Sequence, residues 1–99
     1  METSINQQKT ALVIDNADNV AVALTDLTKG DECVARFGDR EEVITVLEDI
    51  SFGHKFALCT IKENESVLKY GEEIGKMNVE VQKGEYIHNH NMYCERGMK

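Results

Sequence analysis

The chain has 99 residues, with 11 basic and 18 acidic side chains and a net charge of −7. This length is enough for one domain with one core, and the negative charge opposes binding to nucleic-acid phosphates and anionic membranes. The chain has no apolar run near the ~20 residues of a membrane span and no secretory signal pattern, so we expect a soluble, cytoplasmic protein.

The first half of the chain predicts a strand followed by a helix. Residues 1–9 are polar and lack periodicity, so we expect a disordered N-terminus, and residues 10–15 form a short branched apolar run typical of a strand. A helical spacing of i, i+3, i+4 and i+7 then follows at Val20, Ala23, Leu24 and Leu27. Asp18 or Asn19 would cap this helix, and Lys29 and Gly30 would end it.

From residue 32 onward the pattern is that of strands. Segments 32–37 and 42–47 alternate around a turn at 38–41, and segment 50–61 predicts a longer strand. Short extended pieces follow, separated by glycine-containing turns. Segments 64–70 and 83–90 echo each other, which suggests two similar hairpin halves. The expected core here contains Phe52, Phe56, Leu58, Ile61 and Ile74. Together the patterns predict a mostly β fold with one short α-helix.

Three cysteines, Cys33, Cys59 and Cys94, make an odd number and have no C-x-x-C spacing. This pattern gives no zinc or redox motif, so we expect reduced, partly buried thiols.

All three histidines lie between residues 53 and 91, which makes this segment the candidate site. In a strand, alternation would place His88 and His90 on one face, about 6–7 Å apart, close enough to share a metal ion. A third ligand would come from His54, from a carboxylate such as Glu72 or Glu85, or from another chain. The alternative is two surface histidines on a half-exposed strand.

Two lysines accompany the histidines. His54 and Lys55 follow Gly53, and these types of side chain serve as acid, base, ligand or carboxylate partner near neutral pH. The sequence Lys69-Tyr70-Gly71-Glu72 admits either a carboxylate-binding lysine beside a phenol or an ordinary turn. A plain turn with solvated polar residues is the alternative for both segments.

The motifs NVAVAL, FGHKFAL, LKYGEEIG and GEYIHNHN, in this order, resemble the small SAF-type domain of the altronate and galactarate dehydratase family. The resemblance covers about residues 11–94 and implies a β-clip fold, which we place at 10–95 with a C-terminal tail at 96–99. The chain departs from the family pattern in having no proline before Phe52-Gly53 and in carrying Asn64 where the family usually turns through glycine.

The resemblance also implies a function. In this family the domain is fused ahead of a larger catalytic region or forms a separate small subunit, as in the alpha subunit of (2R)-sulfolactate sulfo-lyase. The resemblance therefore implies a large catalytic partner, an acidic polyhydroxy substrate and a divalent metal, usually iron(II), in the complete enzyme.

The family motifs match this chain at Gly53, His54 and Lys55, at residues 69–72, and at His88, His90 and Asn91. We assign catalysis to His54 and Lys55 and metal binding to His88 and His90. Substrate binding is assigned to Lys69, Tyr70, Glu72 and Asn91.

Three functions follow as hypotheses. The first is the small subunit or domain of a lyase that removes water from a sugar acid such as altronate or galactarate. The second is a sulfo-lyase subunit, which would expel sulfite instead. The third, from a different class, is a non-catalytic β-clip module for binding or assembly.

Overall fold

A computed structural model describes residues 9–94 and shows nine β-strands in two sheets. The strands are β1 (Thr10–Val13), β2 (Val20–Ala23), β3 (Glu32–Phe37), β4 (Arg40–Thr45), β5 (Lys55–Ala57), β6 (Ser66–Lys69), β7 (Glu72–Met77), β8 (Tyr86–Ile87) and β9 (Met92–Tyr93). Residues 1–8 of the expected disordered N-terminus and the expected tail at 96–99 lie outside the described residues.

The described part of the chain contains no α-helix, and therefore no helix long and apolar enough to cross a membrane. The architecture is mostly β and is consistent with the expected β-clip.

The larger sheet has six strands in the order β4-β3-β1-β2-β5-β8, and the smaller sheet has the order β6-β7-β9. Neighbouring strands are antiparallel except β1 and β3, which run parallel. The predicted hairpin of β3 and β4 is confirmed, although β4 begins earlier than expected, at Arg40. Gly38 is the first of its two turn residues and has a φ of 62°, as such tight turns require.

The predicted helix is wrong, because Val20–Ala23 forms strand β2 in the middle of the larger sheet. β2 pairs with β1 on one side and with β5 on the other, so its backbone donors and acceptors are used by neighbouring strands. Two of its four residues are valines, whose branched side chains favour strands. Leu24, which the helical stripe would bury, is 44% exposed.

The long strand expected at 50–61 is also much shorter. Only Lys55–Ala57 is a strand, flanked by single bridges that join Ile50 to Leu27 and Ile61 to Val81. Phe56, Leu58 and Ile61 are buried as expected and Ile74 is partly buried, whereas Phe52 is 65% exposed at a turn. The assignment of Phe52 to the core is therefore wrong.

Two clusters of buried side chains form the core. The first lies under β1, β3 and β4 and includes Ile44, Ile50 and Phe56. The second joins the smaller sheet to β2, β5 and β8, and it includes Val20, Met77 and Ile87. β5 contributes to both clusters, because Phe56 and Ala57 point to opposite faces of the strand. The strand that carries Lys55 therefore lies between the two cores.

A four-residue turn recurs immediately before β3, β6 and β8. In each, the backbone N–H of the fourth residue donates to the carbonyl of the first, and the acidic side chain of the fourth accepts from the N–H of the first. The third residue always has a positive φ, as in a type II turn. The turns are 28–31, 62–65 and 82–85. The echo in the sequence thus reflects repeated turns rather than two hairpins, because β8 pairs with β5 and not with β9.

The loop between β1 and β2 attaches the smaller sheet to the larger one. The Asp18 carboxylate, 9% exposed, accepts hydrogen bonds from the backbone N–H groups of Tyr70 and Gly71. The Asn19 side chain donates to the Ser66 carbonyl and accepts from the Leu68 N–H. These two residues therefore fix the β6–β7 hairpin and do not cap a helix.

Candidate functional site

The candidate site is built around the ring of Tyr86, the first residue of β8. His88 stacks on this ring with centroids 5.7 Å apart and an interplanar angle of 8°. His90 and His54 approach the same ring with centroid distances of 5.3 and 5.6 Å. The structure therefore brings together all three histidines of the chain around one phenol.

His54 reaches this cluster from the turn that precedes β5. Its Nδ1 atom lies 2.7 Å from the hydroxyl oxygen of Tyr86, and its ring centroid lies 5.3 Å from that of His88. The backbone at His54 is fixed by hydrogen bonds to Ser51 and Ala23. β5 pairs with β8 and places Phe56 opposite Tyr86. This pairing brings the rings of His54 and Tyr86 to the same side of the sheet.

The strand expected through residues 88–90 ends earlier, at Ile87, and residues 88–91 form a turn. This turn is closed by Asn91, whose backbone N–H donates to the His88 carbonyl and whose side-chain oxygen accepts from the His88 N–H. The Asn91 amide also donates to the Tyr86 carbonyl, and the residue is 6% exposed. Its visible contacts hold the turn, and a direct contact with substrate stays a prediction.

The two lysines of the candidate site come from different sheets. Lys55 lies in β5 opposite Val22 of β2, and Lys69 is the last residue of β6. Burial lowers the pKa of Lys55, and the nearby positive charge of Lys69 lowers it further. Lys69 also lies 5.0 Å above the ring of Tyr70, a cation–π distance. The site therefore spans the junction of the two sheets.

The environment of His88 opposes its protonation. Burial lowers its pKa, and the charges of Lys55, His54 and His90 lower it further. At neutral pH its imidazole is therefore uncharged and able to accept a proton. This is the protonation state that a general base requires.

Tyr70 and Glu72 lie at the exposed tip of the β6–β7 hairpin. Tyr70 is 53% exposed with a φ of 58°, Gly71 follows with a φ of 79°, and Glu72 pairs with Lys69. Both side chains can reach a ligand or a second protein. Their predicted role in substrate binding is untested by these contacts.

Residues 9–94 contain no group of three or more histidine, cysteine, aspartate or glutamate side chains placed to hold a metal ion. Glu85, a suggested third ligand, instead closes the turn at 82–85 by accepting from the Gln82 N–H. The described residues therefore do not fit a metal on their own. Binding of a metal by His88 and His90 remains a prediction that needs ligands from elsewhere.

Sequence reasoning missed three residues that shape the site: Tyr86, Asp18 and Asn19. Tyr86 precedes His88 with the same spacing that separates His88 from His90, and this period of two was the available signal. Nothing in the local pattern indicates that Asp18 and Asn19 bind the hairpin about 50 residues away. That contact depends on the tertiary fold.

Comparison with known proteins identifies the family of the chain. Residues 9–95 match the family described as the altronate/galactarate dehydratase SAF domain. Altronate dehydratase of Bacillus subtilis is 45% identical over 83 residues, which are 84% of this chain and 16% of the relative. The (2R)-sulfolactate sulfo-lyase subunit alpha of Paracoccus pantotrophus is 38% identical over 64 residues, 65% of this chain and 96% of that subunit.

Galactarate dehydratase (L-threo-forming) of Escherichia coli is also similar, at 36% identity over 75% of this chain and 13% of its own length. The chain thus matches only a small part of the dehydratases and nearly all of a separate subunit. Because the family match spans residues 9–95 of the 99, the chain belongs to the altronate/galactarate dehydratase SAF domain family.

Proposed function

We propose that this chain is the small subunit or domain of a lyase that acts on a sugar acid, with altronate or galactarate as substrate. The observation that carries the proposal is the cluster of three histidines, Tyr86 and two lysines at the junction of the two sheets. The similarity to two sugar-acid dehydratases supports the substrate class. We place the protein in the cytoplasm, with other enzymes of sugar-acid metabolism.

Elimination of water from a sugar acid needs a base for the proton next to the carboxylate, a positive group for that carboxylate, and a donor for the departing hydroxyl. In this proposal neutral His88 accepts the proton, and Lys55 and Lys69 bind the carboxylate. His54 assists the departing oxygen, with its ring held by Tyr86. Tyr70 and Glu72 contact the hydroxyl groups of the substrate, and Asn91 holds the turn that carries His88.

The cluster lies on an open part of the surface, since His90, Tyr70 and Glu72 are all exposed. A site of this kind does not exclude water by itself, so we propose that a large catalytic polypeptide covers it. A divalent metal, iron(II) in the proposed complete enzyme, would be held mainly by that polypeptide. His88 and His90 would add ligands in the alternative in which His88 binds the metal instead of accepting the proton.

A second candidate is the alpha subunit of a (2R)-sulfolactate sulfo-lyase. It is favoured by the extent of the match, which covers 96% of the Paracoccus subunit. The two candidates differ in the leaving group, which is water in one and sulfite in the other.

The test is to co-express the chain with the catalytic-region polypeptide encoded in the same genome and to offer altronate, galactarate and (2R)-sulfolactate separately. A keto-deoxy acid as product supports the dehydratase, and sulfite with pyruvate supports the sulfo-lyase. Turnover by the 99-residue chain alone would contradict the proposed partner. A stable complex that turns over none of the three acids would instead favour a non-catalytic module.

Variants of the assembled enzyme separate the roles of the residues. Lys69→Met should mainly raise KM, because a carboxylate contact acts in ground and transition states alike, and His54→Asn should lower kcat by about 10²–10⁴-fold. Lys62→Met, at an exposed turn, is the matched control for the lysine. If kcat is unchanged but the complex is weakened, His54 contacts the large partner and does not take part in catalysis.

Metal content provides a separate test of His88 and His90. The isolated chain should bind divalent metal weakly or not at all, because its described residues supply no set of three ligands. The complex should hold the metal and lose it on His88→Ala. Equal metal content in wild-type and His88→Ala complexes would mean that these histidines do not bind the metal.

A further inference from the structure

The hydroxyl of Tyr86 and Nδ1 of His54 form an isolated pair. They lie 2.7 Å apart, and neither atom has another hydrogen-bond partner among residues 9–94. The two residues are separated by 32 positions in sequence, so only the pairing of β5 with β8 brings them together. One of the two atoms must donate, and the choice decides which nitrogen of His54 carries the proton.

We infer that Tyr86 is a positioning residue that donates its hydroxyl proton to Nδ1 of His54, leaving the imidazole with its proton on Nε2. A tyrosine hydroxyl carries one proton that it can donate, and among residues 9–94 the one acceptor within hydrogen-bond distance of it is Nδ1 of His54. With Nδ1 accepting, a neutral imidazole carries its hydrogen on Nε2. Nε2 is then a hydrogen-bond donor and neither a base nor a metal ligand.

The surroundings of Tyr86 hold its hydroxyl in place. The Tyr86 backbone N–H donates to the Glu48 carboxylate at 3.3 Å, and its carbonyl accepts from the Asn91 amide at 2.9 Å. Its ring lies against both His88 and His90 and packs on the first core cluster. The phenol is therefore fixed from both backbone and ring, and it can set the orientation of His54.

The chemical consequence rests on the proposed function. If the cluster binds a sugar acid, His54 contributes an Nε2–H that donates to an anionic or departing oxygen. Proton abstraction then falls to another group, and the His88 ring lies 5.3 Å away between ring centroids. Tyr86 thus fixes His54 as a hydrogen-bond donor that keeps its own proton, and the proton taken up by the base is the one that leaves with the hydroxyl as water.

The primary experiment is NMR on the ¹⁵N-labelled, metal-free chain at neutral pH, with the His54 signals identified by their loss in His54→Gln. The wild-type chain should show His54 protonated at Nε2 and unprotonated at Nδ1. Tyr86→Phe should shift the Nδ1 resonance, while the matched control Tyr93→Phe, which loses only a bond to Asn64, should leave it unchanged. A wild-type proton on Nδ1, or an Nδ1 resonance unaffected by Tyr86→Phe, would overturn the inference.

This readout does not depend on activity, nor on the folding of the variant, because the wild-type tautomer alone can contradict the inference. In the assembled enzyme, Tyr86→Phe should lower kcat by about 10-fold, as expected for one lost neutral hydrogen bond. If no acid is turned over although the wild-type tautomer is as stated, the proposed function fails and the Tyr86–His54 pair stands. If activity is present but His54 carries its proton on Nδ1, the inference fails alone.

Discussion

His88 shows how neighbouring residues set the chemistry of one side chain. Its ring lies against Tyr86, and the charges of Lys55, His54 and His90 add to the effect of burial in lowering its pKa. An acidic chain thus contains a local cluster in which positive charge is disfavoured. A bound carboxylate would relieve this repulsion, which is the physical link between the cluster and an anionic ligand.

The lowered pKa of His88 makes stability depend on pH. As the pH falls below about 6.5, the unfolded chain takes up this proton before the folded one, so stability is lost until the folded pKa is passed. Urea unfolding between about pH 7.5 and 5.5, with chelator present, should therefore show a larger loss for wild type than for His88→Gln. Equal losses would mean that the environment of His88 does not oppose its charge.

Gly30 and Gly84 have nearly the same φ but different surroundings. Their alanine variants therefore separate the cost of a steric clash from the cost of the left-handed backbone conformation. Their φ values are 93° and 92°, but a Cβ at Gly84 would overlap the Thr45 carbonyl oxygen, whereas Gly30 has nothing within 4 Å. Gly30→Ala should cost about 1–2 kcal/mol of unfolding free energy from the left-handed conformation. Gly84→Ala should cost about 1–3 kcal/mol more from the clash, as measured by chemical denaturation. Similar losses would argue against close contact at Gly84.

At the scale of elements, the loop between β1 and β2 determines where the β6–β7 hairpin lies. Asp18 accepts from the two turn residues Tyr70 and Gly71, and Asn19 bonds to the backbone of β6 on either side of Val67. This hairpin carries Lys69 and Tyr70. The loop therefore places one half of the candidate site relative to the half on β5 and β8.

Asn19→Ala should release β6 without unfolding the larger sheet. The substitution removes two hydrogen bonds to partly buried backbone groups, so we expect a loss of about 1–3 kcal/mol and faster hydrogen exchange at the Leu68 amide. Asn16→Ala, an exposed position of the same loop, is the control and should leave that amide protected. Unchanged exchange at Leu68 in Asn19→Ala would show that packing alone holds the hairpin.

At the scale of the whole molecule, two core clusters meet along β2 and β5, and the candidate site spans the sheets that they join. Cys33 lies within the first cluster and is fully buried, while Cys59 and Cys94 are exposed. The expectation of partly buried thiols therefore holds for one of the three. The reactivity of the buried Cys33 thiol can therefore report global unfolding.

Burial raises the pKa of Cys33 to about 11, so its thiol should be unreactive while the protein is folded. In the Cys59→Ser/Cys94→Ser variant, modification of Cys33 by a thiol reagent should follow the same urea dependence as loss of the circular dichroism signal. In the wild type, the two exposed thiols should react first. Rapid modification of Cys33 in native buffer would indicate local opening of β3.

Local sequence patterns were enough to predict a mostly β fold, the family, and the three histidines and two lysines of the cluster, but not Tyr86 at its centre. Alternation in segment 32–37 is a local property, and it predicted β3, in which Cys33 and Ala35 are fully buried on one face. Likewise, the motifs around His54 and His88 are contiguous, so they are recognisable in the amino-acid sequence alone. Gly30 was also recognisable as a turn residue, although it is the third residue of the turn at 28–31 and does not end a helix.

Contacts between distant segments account for the features that local patterns did not predict. Residues 20–27 satisfy a helical spacing, yet Val20–Ala23 is a strand because β1 and β5 on its two sides bind its backbone. Contacts beyond the local sequence also decide the positions of Phe52 and Asp18. Phe52 is exposed at a turn, and the Asp18 carboxylate accepts a hydrogen bond from a hairpin 52 residues away. Tyr86 reaches His54 only because β5 pairs with β8. Local sequence carries propensity, but hydrogen bonds between distant strands carry more free energy than the small differences in propensity among these residues.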